Sequence, residues 1–105
     1  MTATFAKLLA AALALSMTAP ALAAEVDRRE ARQQARIAEG VESGQLTPRE
    51  TARLEHKEAR IRRQIRRERA ANGGTLTPAE RRQVNREQDR ASRQIYRAKH
   101  DGAHM

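Results

Sequence analysis

The feature that most constrains this chain is a seven-residue motif that occurs twice, thirty residues apart. Gly44-Gln45-Leu46-Thr47-Pro48-Arg49-Glu50 returns as Gly74-Thr75-Leu76-Thr77-Pro78-Ala79-Glu80. Each copy reads as the end of one helix, a tight link and the start of the next. A glycine supplies the left-handed backbone that closes a helix. Thr47 and Thr77 suit the N-cap, because a threonine oxygen accepts from the unpaired N–H groups of the first turn. Pro48 and Pro78 then fall at the first helical position, where a missing N–H costs nothing. Glu50 and Glu80 stand three residues past the cap and can reach back to its N–H, which makes a capping box of each copy.

The repeat is wider than the motif. Residues 44–69 and 74–99 share ten identities in 26 positions, among them Arg63-Gln64-Ile65 against Arg93-Gln94-Ile95. Gln33-Gln34-Ala35 is a fainter echo one period earlier. Duplicated helix–link units are the natural source of such a chain. The pattern predicts helices over 25–42, 48–71 and 78–100. Their seams, each interrupted by a polar member (Gln34, Glu58, Gln88), are Glu30, Gln34, Ile37, Val41; then Leu54, Glu58, Ile61, Ile65, Glu68; then Val84, Gln88, Ala91, Ile95, Ala98. The alternating four- and three-residue steps are those of a narrow bundle seam. Short links make consecutive helices antiparallel neighbours. The predicted fold is therefore all-α, two or three antiparallel helices in duplicated helix–turn–helix form, with completion by a second copy (a homodimer) as the alternative.

Residues 1–23 read as a signal peptide. Lys7 gives a positive start, residues 8–19 form an apolar run too short to cross a bilayer, and Ala21-Leu22-Ala23 is an A-x-A cleavage signal after the helix-breaking Pro20. The expected product, 24–105, is a single small helical domain with repeat units over 31–65 and 66–100 and a flexible tail at 101–105. It is expected in the periplasm or secreted, with no membrane span after processing. Without cysteine it forms no disulfide and carries no lipid-attachment site. It holds 20 basic and 13 acidic side chains, a net charge of +7. Leu, Ile, Val and Phe make up only ten of its 82 residues. That is a thin core, in a range where charged chains are often disordered. Ala, Arg, Glu and Gln favour helix strongly, so the expectation is real helices weakly held to one another.

With these residues in view, the links resemble degenerate EF-hand loops. Over 39–50 and 69–80, Gly44 and Gly74 stand at the sharp-turn position, Leu46 and Leu76 at the loop-pairing position, and Glu50 and Glu80 at the bidentate position. The first, third and fifth positions hold Glu39, Val41, Ser43 and Arg69, Ala71, Gly73, so most oxygen ligands are gone. Glu39, Ser43 and Glu50 are the metal candidates that remain; the expectation is no metal and no cofactor, with a vestigial EF-hand protein, structural or weakly metal-binding, as the alternative function. The two Leu-Thr-Pro-x-Glu segments are also similar to the repeated L-T-x-x-Q motif of small, basic, helical periplasmic proteins of the Spy/CpxP kind. That resemblance implies a chaperone or envelope-stress adaptor; here Glu replaces Gln.

The densest chemistry is an arginine run: Arg60, Arg62, Arg63, Arg66, Arg67 and Arg69, with Glu68 the one acid between them. Guanidinium forks suit phosphate and carboxylate, so these six are the candidate polyanion or partner site. The plainer reading is a solvated face. Export and the lack of stacking aromatics disfavour nucleic acid, which leaves protein clients or anionic envelope components as partners. No nucleophile stands beside a base, so no enzyme is expected. His100 and His104 could hold a metal on a helical tail, but Gly102 between them argues for fraying.

Overall fold

The computed structural model describes residues 19–102, which fold into three packed helices with no strand among them: α1 (Ala19–Glu42), α2 (Pro48–Ala71) and α3 (Pro78–Lys99). Local chemistry sets both internal starts. Thr47 Oγ1 accepts from the Glu50 N–H at 3.1 Å while Glu50 Oε1 accepts from the Thr47 N–H at 3.0 Å. Thr77 and Glu80 repeat the exchange at 2.9 and 3.1 Å. Each box satisfies two donors that a helix start leaves open.

The first link is also held from behind. Gly44 adopts φ 78°, which a side chain would strain, and the Leu46 N–H donates to the Gly40 carbonyl at 3.0 Å. Leu46 thereby folds back onto α1. A β-carbon on Gly40 would lie 2.7 Å from Leu46 Cγ and Cδ1, so only glycine admits this approach.

Neighbours in sequence are antiparallel. Arg69, near the end of α2, donates to Asp27 near the start of α1 at 3.0 Å, and Gln34 Nε2 donates to Glu55 Oε1 at 2.6 Å. α1 and α3 run the same way, as Gln33 to Gln88 and Arg36 to Ser92 show. The buried apolar residues form two clusters. One holds Val26, Ile61, Ile65, Val84 and Ala91, flanked by Leu76. The other holds Ile37, Leu46, Leu54 and Ile95, flanked by Ala98.

The seams of α2 and α3 lie where the spacing puts them. That of α1 differs. The residues it buries are Val26, Glu30, Gln33, Ile37 and Gly40, so Gln34 and Val41 leave the expected seam. Gln34 is half-buried against Glu55. Val41 is 49% exposed, because the face that receives Leu46 belongs to Gly40. Helix α1 also begins earlier than 25. Of the expected leader, 1–18 lies outside the described residues. The Ala21-Leu22-Ala23 segment forms part of α1, and the Ala23 carbonyl accepts from Arg69 at 3.2 Å. Of the tail, 101–102 follow α3 and 103–105, with His104, lie outside the described residues.

Candidate anion-binding surface

Helix α2 buries Leu54, Glu58, Ile61 and Ile65 along its seam, and Glu50 at its start. The arginines between them are forced outward, and they do not form one patch. Arg62, Arg66 and Arg69 line the groove toward α1, with Asp27 and Glu30. Arg60 lines the groove toward α3, with Lys57, Gln64, Glu87 and Arg90. Arg63 and Arg67 are exposed.

Their partners differ as well. Arg69 is engaged: it donates to Asp27 and to the Ala23 carbonyl. Arg62 donates to Gln34 Oε1 at 3.3 Å. Arg60, Arg63, Arg66 and Arg67 are exposed and make no salt bridge with a described carboxylate. The nearest acid in sequence, Glu68, is turned to Gln64 instead, which donates to it at 3.2 Å. The charge of these four arginines is therefore not cancelled by direct pairing with a described carboxylate.

The loop residues singled out as metal candidates are occupied by other work. Glu39 pairs with Lys99. Ser43 donates to the Gly40 carbonyl at 3.3 Å. Glu50 is buried in its capping box. Among the described residues no three His, Cys, Asp or Glu side chains gather to hold a metal. His100 stacks on Tyr96 with ring centroids 4.0 Å apart, and its Nδ1 lies 2.7 Å from the Tyr96 carbonyl, to which it donates.

The interior holds a polar layer that pattern reading resolves only in part. Glu30 and Gln33 from α1, Glu58 from α2 and Gln88 from α3 are all buried, Glu58 at 1% and Gln88 at 0% exposure. Gln88 Nε2 donates to Glu30 Oε1 at 2.9 Å and to the Val26 carbonyl at 3.3 Å; Gln33 Nε2 donates to the Gln88 carbonyl at 2.7 Å. Both Glu58 oxygens and Glu30 Oε2 find no N–H or hydroxyl donor. A proton on Glu58 supplies one. Burial, then a hydrogen bond to Glu30, then the like charge of Glu30 push the Glu58 carboxyl up to about 8, against the opposing pull of Arg62. Two adjacent buried carboxyls resist a second negative charge, so the Glu58 carboxyl keeps its proton well above the usual carboxylate range. Glu58 and Gln88 stand one repeat apart in the sequence, and their interruption of each seam is visible there. The role of Gln33 and the meeting of Glu30 with Glu58 are not, because both depend on how α1 is rotated.

Comparison of the chain with protein-family models, with curated proteins and with solved structures finds no match in any of the three.

Proposed function

We propose that this is a non-enzymatic binding protein whose arginine-rich helical exterior engages polyanionic partners: anionic envelope components or acidic stretches of unfolded protein clients, in the manner of a periplasmic chaperone or stress adaptor. The observation that carries the reading is the set Arg60, Arg63, Arg66 and Arg67, exposed and without salt bridges in a chain of net charge +8. Guanidinium groups left free of internal partners keep their donors for phosphate or carboxylate from outside.

The apolar alternative has little surface to work with. Leu54, Ile61 and Ile65 are buried in the closed bundle, and Val41 and Tyr96 are the large hydrophobic side chains exposed among the described residues. A client held by such a surface is held by charge. The test is co-sedimentation with vesicles of phosphatidylglycerol and phosphatidylcholine against vesicles of phosphatidylcholine alone. Binding that requires the anionic lipid and weakens with salt supports the reading. Equal binding to both vesicle types contradicts it.

A further inference from the structure

Away from the arginines of α2, the groove between α1 and α3 holds a cavity of about 320 Å³ lined by Arg36, Ser92, Arg93, Tyr96 and Arg97. Three guanidinium groups and two hydroxyl-bearing side chains surround it, and no carboxylate lines it. The grooves between α2 and α3 differ on this point: Glu50 and Asp101 line one, Glu87 the other. The volume is at the lower end of what small-molecule sites enclose.

Arg36 and Tyr96 are held in place. Arg36 Nη1 donates to Ser92 Oγ at 2.7 Å and Nη2 to the Ser92 carbonyl at 3.2 Å, so its fork is oriented across the groove before any ligand arrives. Tyr96 is 59% exposed, and its ring is backed by the stacked imidazole of His100. Asp101, one turn after Arg97, lines the adjoining groove together with Arg97, and two other nearby acids have cations of their own. Asp89, one turn before Arg93, is bound by Arg29, whose guanidinium holds its carboxyl below the usual carboxylate range. Glu39, one turn after Arg36, is bound by Lys99. Arg97 and Lys99 in the last turn of α3 also offset the negative end of that helix.

We propose that Arg36, Arg93 and Arg97, with Ser92 and Tyr96, form a binding site for a small anion bearing a phosphate monoester. The Arg93 and Arg97 forks can each give two donors to the oxygens of one such group, Arg36 adds its charge and the N–H groups that Ser92 leaves free, and the backed tyrosine ring supplies an apolar wall for the carbon that carries it. The site shares no residue with the α2 set. Arg93 and Arg97 are instead the repeat partners of Arg63 and Arg67. On α3 they face an arginine from α1, and the site exists because of that third guanidinium.

The chain carries its own reporter, since Tyr96 is the one tyrosine and there is no tryptophan. Inorganic phosphate is titrated against the full chain, with ionic strength held constant by chloride, while Tyr96 emission is followed. The expected result is a saturable change. Arg36→Gln and the pair Arg93→Gln/Arg97→Gln should each weaken it by about tenfold or more, the scale of one lost charge-assisted contact. Arg63→Gln/Arg67→Gln should leave it unaltered, which separates this site from the α2 surface. Arg93 and Arg97 are exposed, so their replacement leaves the fold intact, as circular dichroism would verify, even if Arg36→Gln loosens α1. Displacement of phosphate by glycerol phosphate alone would identify a soluble ester as the source, and displacement by phosphatidate vesicles a lipid headgroup; either upholds the site. A non-saturating change shared by all variants, or failure of both competitors, overturns it.

Discussion

The carboxyl of Glu58 on α2 is buried beside that of Glu30 on α1 inside the bundle, and the like charge of Glu30 opposes its ionisation. Above and below stand apolar clusters, and Gln88 reaches from α3 to the same Glu30. Glu30 thus meets both of the other helices, through Gln88 and beside Glu58.

That contact makes stability depend on pH with a definite sign. The Glu58 carboxyl titrates near 8 when folded, against the ordinary 4.5 of an unfolded glutamate. The folded chain holds the proton more tightly, so this contribution is complete below about 4.5, falls between there and about 8, and falls no further above. The groups acting on Glu58 are Glu30 across the interface and Arg62 and Glu55 on its own helix. Thermal melts at pH 5 and pH 9 should differ by at least about 5 °C, what roughly 1 kcal/mol does in a domain of this size. Glu58→Gln keeps the shape and removes the titration, so its melting point should be higher than wild type at pH 9 and flatter across the range. Parallel pH curves for the two proteins would remove Glu58 as the titrating group.

The two capping boxes are alike in geometry and unlike in burial. Thr47 and Glu50 are partly or fully buried, whereas Thr77 is exposed and Glu80 half-buried. Thr47→Ala and Thr77→Ala should each cost about 0.5–2 kcal/mol, with Thr47→Ala the larger, because its freed donors are less able to find water. Chemical denaturation of the single and double variants measures this. Equal losses would mean that burial does not modulate the cap.

At Gly40 two effects oppose each other. Alanine favours a helix over glycine by about 1 kcal/mol. Its β-carbon would also stand 2.7 Å from two atoms of Leu46, and overpacking of that kind costs about 1–3 kcal/mol. The clash should win, so Gly40→Ala should melt below wild type. A higher melting point would show that the first link can yield.

How legible each part was follows from where its information resides. The links, the helix starts and the seams of α2 and α3 are written locally: Thr-Pro-x-Glu fixes the caps, and Leu54, Ile61, Ile65, Val84 and Ile95 mark the inward faces. Helix α1 is poorer in such markers. The residue that receives Leu46 is Gly40, which carries no apolar signal, while Val41 beside it does and is exposed. The α2 arginines were conspicuous as a run, yet the run wraps around a helix, and its distribution over two grooves and an outer face emerges only with α1 and α3 in place. Arg93 was visible in the internal repeat; Arg97, and Arg36, which joins them across the groove, were not.

The most direct measurement concerns the arginine exterior. Wild type and the quadruple variant Arg60→Gln, Arg63→Gln, Arg66→Gln, Arg67→Gln are compared for binding to phosphatidylglycerol-containing vesicles at low and at physiological salt. Glutamine has a helix propensity close to that of arginine, so helicity should be unchanged. Each basic group near an anionic surface contributes about 1 kcal/mol, fading over a Debye length. The expected result is strong, salt-sensitive binding by wild type and weak, nearly salt-insensitive binding by the variant. Equal binding by the two proteins would contradict a functional role for these arginines and leave them a solvated face.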